Sequence, residues 1–185
     1  MNVLMLFAAA LLLPVPAFAH VGDGLQLGLL AGFLHPFGGA DHLLAMVMVG
    51  LWAGLLGGPA RLALPAGFLG GMAAGALLGF AGVALPLAEA GILASVIVLG
   101  ALAALALRPP LVVGVALAAG FGLLHGHAHG TEILGTGALF GMLAGTAVLH
   151  GAGLALASPV APWARRAAQL AGGATAVTGL VLALV

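Results

Sequence analysis

Long apolar runs with almost no charged residue between them dominate this sequence of 185 residues. Apolar residues make up 64% of the chain and charged residues only 4%, and the mean hydropathy is +1.33. A soluble domain carries about a quarter charged residues, so this chain cannot build a water-facing surface. A spanning helix takes about 20 apolar residues, and runs of that length recur, which predicts an all-α, polytopic membrane helix bundle.

The residue types that are missing exclude several classes of function. Cysteine and lysine are both absent. Without cysteine there is no disulfide, no thiolate nucleophile and no thiolate metal ligand. Without lysine there is neither a P-loop nor a Schiff base, which argues against an ATPase or a retinal protein. The few charges form no basic patch, so nucleic acid is not an expected partner. Membrane lipid is an expected partner, because the chain is so largely apolar.

Residues 1–19 have the pattern of a secretory signal peptide, and we expect its cleavage. An apolar run over residues 3–13 is too short to span a membrane and precedes a small-x-small site that ends at Ala19. Its only positive charge is the terminal amine, so an uncleaved first helix is the alternative. Cleavage would leave His20 at the new N-terminus, either as a metal chelator at the periplasmic entrance or as an ordinary exposed residue.

Glycine, proline and charge divide residues 20–185 into six candidate transmembrane helices. They cover residues 24–57, 63–85, 88–107, 110–129, 133–156 and 166–185. The first candidate is too long for a plain span and has Pro36 and the Gly38-Gly39 pair in its middle. Such residues break helices, so we predict one broken helix there rather than two spans.

The charged residues set the predicted orientation of the six helices. All four arginines fall in the loops after helices one, three and five, and three acidic residues fall at the opposite mouths. These are Arg61, Arg108, Arg165 and Arg166 against Asp23, Glu89 and Glu132. The positive-inside rule then predicts cytoplasmic arginines and a mature N-terminus and C-terminus in the periplasm.

Glycines recur every four residues in two of the predicted helices. Gly67, Gly71, Gly75 and Gly79 form one row, and Gly137, Gly141 and Gly145 form the other. Small residues at this spacing let helix backbones approach closely in lipid. The two rows predict tight helix packing that leaves little room for a large substrate.

The first helix carries a cluster of ionisable residues at its predicted break. On a continuous helix His35 and His42 would lie two turns apart on one face, with Met46 one turn further. A lone membrane histidine can simply make an interhelical hydrogen bond. A carboxylate at Asp41 needs a partner in hydrocarbon, however, and a cation beside two imidazoles supplies one, so metal binding is favoured. Met46 is better explained by packing than as a thioether ligand.

A second cluster lies at the outer end of the predicted fourth helix. His125, His129 and Glu132 share one helical face. His127 lies on another side, where it either faces the mouth or supports the ligands without binding the metal itself. A short histidine-rich tract can also be an adventitious surface metal binder, but the acid on the same face argues against that. Farther along, His150 is interpreted as a packing residue, with an exit ligand as the alternative.

The two clusters together offer six candidate metal ligands without a thiolate. They are His35, Asp41, His42, His125, His129 and Glu132. Imidazole and carboxylate donors suit nickel, cobalt, zinc or manganese better than copper(I). Two other classes stay open, namely a haem protein with His35 and His125 as axial ligands and an intramembrane metal enzyme.

The same two stretches resemble the motifs of the HupE/UreJ family of nickel permeases. That family carries His-x5-Asp-His in its first helix and Phe-His-Gly-x-Ala/Val-His-Gly-x-Glu in its fourth. This sequence has the first motif at residues 35–42 and the second at 124–132, where Leu124 replaces the aromatic residue. The resemblance covers the whole mature chain.

The resemblance implies a secondary transporter rather than an enzyme. Its substrate would be Ni²⁺, or Co²⁺ in some members, taken up for hydrogenase or urease maturation, with no permanently bound cofactor. It also implies that the six candidate ligands are the functional residues. The choice of metal, the coupling ion and whether the protein forms a homo-oligomer are left open.

Overall fold

A computed structural model of the chain describes residues 28–132, 135–157 and 162–184. Within these ranges every regular element is helical, which confirms the all-α prediction. The elements are α1 (Leu29–Leu34), a 3₁₀ turn (His35–Phe37), α2 (Ala40–Leu56), α3 (Ala60–Phe80), α4 (Ala88–Ala104), α5 (Leu111–Glu132), α6 (Thr136–Leu156) and α7 (Pro162–Leu182). The signal peptide, His20 and Asp23 lie outside the described residues.

The lengths and hydropathy of the helices support part of the predicted membrane topology. Helices α3, α5 and α6 are each long and apolar enough to cross a membrane. The segments Leu29–Phe37 and Ala40–Leu56 pass the same test together, as a pair bent by 85°. Helix α4 is apolar but shorter, at 17 residues, and α7 does not reach the same hydropathy. Six spans therefore stays a prediction.

The first predicted helix is broken where its sequence indicated. Helix α1 ends at Leu34, Pro36 lies in the 3₁₀ turn, and Gly39 is extended, with φ −108° and ψ 131°. Proline cannot continue the hydrogen-bond ladder of an α-helix, and the extended glycine starts α2 in a new direction. Asp41 then lies in the first turn of α2, where the helix dipole favours a negative charge.

The predicted glycine row of α3 packs directly against the backbone of α5. A Cβ atom at Gly71 would collide with the carbonyl oxygen of Ala119, and one at Gly75 with that of Leu123. Because the residue numbers rise together on both helices, α3 and α5 run parallel. In return, Gly126 of α5 faces the backbone of α3, so both helices approach through small residues.

Helix α6 uses its glycines to pack against both halves of the broken helix. Gly141 of the predicted row faces the backbone of Leu29 in α1. Farther along, Gly50 of α2 faces the carbonyl oxygen of His150, and Gly54, one turn later, faces Leu154 and Ala157, so the residue numbers rise together on both helices. These contacts place α2 and α6 side by side in parallel. The third close pair, α4 with α7, is antiparallel, because Gly100 meets Ala176 and Gly172 meets Ala104.

Side-chain hydrogen bonds satisfy the C-terminal ends of two helices at the end of the bundle where the arginines lie. The Arg108 guanidinium donates to the carbonyl oxygens of Leu55 and Leu56 at 3.0 and 3.3 Å, which satisfies the C-terminal end of α2. Gln169 of α7 donates to Ala104 at the end of α4. Arg108 lies in a loop as predicted. The prediction of loop positions was wrong for the other arginines, which lie in the opening turns of α3 and α7.

Neighbouring glycines of α3 provide a matched test of this packing. We expect Gly71→Ala to lower the free energy of unfolding by about 1–3 kcal/mol, because the new methyl group meets the backbone of α5. Gly70 has no described atom within 4 Å of its Cβ position, so Gly70→Ala should be neutral or stabilising through helix propensity. Denaturant titration in mixed micelles measures both, and equal effects would contradict the packing role of Gly71.

Candidate metal site

Three of the predicted ligands meet at the end of the bundle opposite the arginines. His35 projects from the 3₁₀ turn, and its Nε2 atom lies 2.8 Å from His129 Nδ1 and 3.7 Å from Glu132 Oε2. One donor atom from each residue lies within 4.8 Å of those of the other two. We call these residues the outer trio. Their spacing is close enough for all three to bind one metal ion.

The other three predicted ligands, Asp41, His42 and His125, lie directly beside the outer trio and are called the inner group. The ring centroid of His42 lies 4.9 Å from that of His125 and 4.5 Å from that of His129. His42 therefore connects the inner group to the outer trio. All six candidate ligands form one continuous cluster between the broken helix and α5, which we call the donor cluster.

The break between α1 and α2 places the rings of both His35 and His42 against the ring of His129. A continuous helix would have stacked these two rings on one face. Instead the chain bends by 85° between them, and the centroids of both rings lie 4.5 Å from that of His129. The bend thus surrounds one imidazole of α5 with two from the broken helix.

Asp41 orients the ring of His42. Its Oδ1 atom lies 2.8 Å from both the backbone nitrogen and the ring Nδ1 atom of His42. A carboxylate accepts these hydrogen bonds, so the proton of His42 is held on Nδ1. The Nε2 atom is buried, has no hydrogen-bond partner within the described ranges, and offers its lone pair to a metal. Carboxylates commonly fix metal-binding histidines in this way.

Ser95 of α4 fixes the proton of His125 by a similar argument. The Ser95 hydroxyl donates to the carbonyl oxygen of Ile92 at 2.6 Å, which uses its only proton. At 2.9 Å from His125 Nε2 it can then only accept, so His125 carries its proton on Nε2. The Nδ1 atom of His125 is left as a buried lone pair without a partner in the part of the chain described.

The hydrogen bond within the outer trio assigns the proton of His129. If His129 donated from Nε2, a buried N–H group would have no partner among the residues seen, which costs about 1–3 kcal/mol. The favourable arrangement is therefore donation from His129 Nδ1 to His35 Nε2. It leaves the Nε2 lone pair of His129 available to a cation.

The remaining candidates lie outside this cluster. His127 is buried rather than exposed at the mouth. Its Nε2 atom donates to the carbonyl oxygen of Val83, in the segment between α3 and α4. Met46 is fully buried and accepts a hydrogen bond from Thr146, as a packing residue does. His150 is buried deeper in the bundle, against Phe68.

Ser95 is a residue of the site that the sequence reasoning missed. It is fully buried and is the one hydroxyl residue in α4. A lone serine in an apolar helix usually bonds to its own backbone, which gave no reason to connect it with a histidine thirty positions away. Its isolation in the sequence was the one available signal.

Comparison with known proteins covers nearly the whole chain. The family model described as HupE / UreJ protein matches residues 8–182. Protein HupE of Rhizobium leguminosarum bv. viciae is 44% identical over 179 residues, which cover 94% of this chain and 93% of that protein. No solved structure gives a significant match. The matched region includes the outer trio and the inner group.

Removal of the Ser95 hydroxyl should weaken metal binding without unfolding the protein. In Ser95→Ala, His125 can place its proton on either nitrogen, and we expect Ni²⁺ affinity to fall by about 10- to 100-fold, as for other orienting partners. Thr178→Val is the matched control, because it removes a hydroxyl bonded to the carbonyl oxygen of Ala174 in α7. Calorimetric titration of both purified variants measures the difference, and unchanged affinity in Ser95→Ala would refute the orienting role.

Proposed function

This chain belongs to the HupE/UreJ family, and on that premise we propose that it is a secondary transporter that imports Ni²⁺ across the bacterial inner membrane. Co²⁺ is the second candidate substrate. The imported metal would serve the assembly of a hydrogenase or urease metallocentre. The protein would be multi-pass, with its arginines in the cytoplasm and both mature termini in the periplasm.

The observation that carries this proposal is the set of unpartnered lone pairs in the donor cluster. Burial of an ionisable residue in hydrocarbon is costly, so such residues usually mark an ion path. Here His42, His125 and His129 each hold one nitrogen in a hydrogen bond and leave the other buried without a partner among the described residues. A divalent cation satisfies such nitrogens, whereas an apolar substrate does not.

The pairing of the helices supports a transporter built from two inverted halves. Helices α2, α3 and α4 form one half, and α5, α6 and α7 form the other. Exchanging the halves turns the parallel pair α2–α6 into the parallel pair α5–α3, and α4–α7 into itself. All three pairs make close backbone contact at glycine. Inverted repeats with a broken helix beside the binding site are a recurrent transporter pattern.

The two neighbouring ligand sets suggest a stepwise path for the metal. The half-buried carboxylate of Glu132 and the imidazoles of His35 and His129 would capture the cation from the periplasmic side. The cation would then move to His42, whose ring lies beside that of His129, and to His125, whose ring lies beside that of His42. The membrane potential can drive this movement, because a doubly charged ion gains about 4.6 kcal/mol per 100 mV, twice the unit-charge value.

The first test is uptake of radioactive nickel by cells that lack their own nickel importers. We expect the wild-type protein to accumulate nickel, and we expect Asp41→Asn and His129→Ala to lose at least about 90% of that uptake, in line with the effect of disturbed metal ligands. The control is His127→Gln, because His127 lies between two ligand candidates in the sequence but outside their cluster in the structure, where its Nε2 atom bonds to Val83. It should retain uptake at a matched membrane level.

Each outcome of the uptake test has a separate meaning. Competition by cobalt, zinc and manganese ranks the selectivity of an active transporter. If the wild type accumulates no nickel above background, the permease proposal fails, and haem binding or an intramembrane enzyme activity must be tested instead. A Soret band of the purified protein would indicate the former, and turnover of lipid or peptide the latter.

The response of uptake to pH tests the role of the imidazoles. Protons compete with metal for the same nitrogens, so nickel uptake should fall as the external pH is lowered. Rates measured at a fixed membrane potential in proteoliposomes isolate this effect. An uptake rate that rises steadily on acidification would instead indicate symport with protons.

A further inference from the structure

His150 is a buried imidazole outside the donor cluster, with neither ring nitrogen satisfied. It lies on α6 with 1% of its surface exposed. Both Nδ1 and Nε2 lack a hydrogen-bond partner in the described part of the chain, whereas each ring of the cluster has at least one nitrogen bonded. A neutral imidazole has one donor and one acceptor, so two opportunities are lost here.

The position of His150 is costly if its role is only to fill space. An unsatisfied buried polar group destabilises the folded protein relative to a satisfied one. Phenylalanine, leucine or methionine would pack at this point without that penalty, and each occurs among the neighbouring buried residues. A ligand that reaches the ring would remove the penalty.

The helix geometry places His150 closer than the inner group to the arginine end of the bundle. At about 1.5 Å per residue, His125 lies about 10 Å from the Glu132 end of α5. His150 lies about 20 Å from the start of α6, which follows α5 at the same end. Helix α2 gives the same order along the bundle. Gly50, which meets the His150 carbonyl oxygen, lies about 12 Å from His42 toward the arginine end.

The ring of Phe68 contacts both His125 of the inner group and His150. The centroid of Phe68 lies 5.5 Å from that of His125 and 5.1 Å from that of His150. The Phe68 ring is fully buried and meets His150 edge-on, at an interplanar angle of 89°. The rings of His125 and His150 therefore both pack against this single side chain.

A hydroxyl group and two thioether sulfur atoms near His150 could act as further weak metal ligands. One turn before it on α6, the Thr146 hydroxyl lies 3.3 Å from the sulfur of Met46 and 3.5 Å from that of Met72. All three residues are fully buried. Thioethers are softer ligands than imidazole and bind Ni²⁺ more weakly, so they would not trap the metal. Weak binding suits a relay, because a transported ion must leave each site as readily as it enters.

We propose that His150 is an inner metal-binding station, which receives the divalent cation from the inner group before its release toward the arginine end of the bundle. This proposal rests on the proposed transport function and extends it. It assigns a seventh ligand residue, in the half of the bundle that the outer trio and the inner group do not reach.

The test separates metal capture from metal passage in purified full-length protein. Ni²⁺ affinity is measured by titration in detergent, and Ni²⁺ uptake by proteoliposomes at a fixed membrane potential. His150→Phe removes the ligand while it keeps a ring against Phe68. We expect its affinity to stay within about threefold of wild type, and its uptake rate to fall by about tenfold or more, as for loss of a metal contact. His150→Met keeps a weak donor and should retain more uptake than His150→Phe.

Thr175→Val is the matched control. Thr175 is also fully buried and its hydroxyl also has no partner within the described ranges, but it lies on α7. Both Thr175→Val and His150→Phe replace an unsatisfied polar group with an apolar one, so neither should lower the unfolding temperature. Only His150→Phe should slow uptake.

The possible results distinguish this proposal from the proposed function. If wild-type protein transports nickel and His150→Phe transports it equally fast, the inner station is refuted while the permease proposal stands. If His150→Phe loses affinity and uptake in parallel, the residue belongs to the capture site and the proposal of a separate station is wrong. If the wild type itself transports no nickel, the permease proposal fails before His150 is tested.

Discussion

In hydrocarbon, helices gain no hydrophobic free energy by meeting one another, because lipid tails are as apolar as leucine side chains. Their association depends on close packing, and here it depends on backbone contact at glycine. Glycine carries α5 against α3, α2 against α6 and α4 against α7. The three contacts leave no space for a side chain between the paired backbones. The donor cluster can form only because these contacts hold α5 and the broken helix at fixed positions.

Within this helix packing, hydrogen bonds orient the imidazole rings of His42 and His125 through one nitrogen of each ring. Asp41 holds His42 and Ser95 holds His125, and in each case the bond fixes the proton on one nitrogen and leaves the other free. This is how a protein prepares histidine for a metal, since a ligand nitrogen must present its lone pair and a fixed ring loses less entropy on binding. The same hydrogen bonds explain why these polar residues are tolerated inside an apolar bundle.

The sequence was sufficient wherever the cause of structure is local. Pro36 and the glycines after it break a helix through their own backbone chemistry, so the break lies where it was predicted. Glycine spacing likewise predicted the face of α3 that meets α5. The predicted loop positions of three arginines were wrong, because α3 and α7 begin a few residues earlier than charge patterning suggested. Helix ends depend on small energetic differences that hydropathy does not resolve.

By itself, therefore, the sequence determined a helical membrane protein, the broken first helix and the residue types that can bind a metal. Only the tertiary structure decided that His35 joins His129 and Glu132, that Ser95 faces His125, and which nitrogen of each ring is free. The physical reason is that composition and spacing report interactions within one helix, over about four residues. The proton on an imidazole is fixed instead by an atom that another helix brings within about 3 Å.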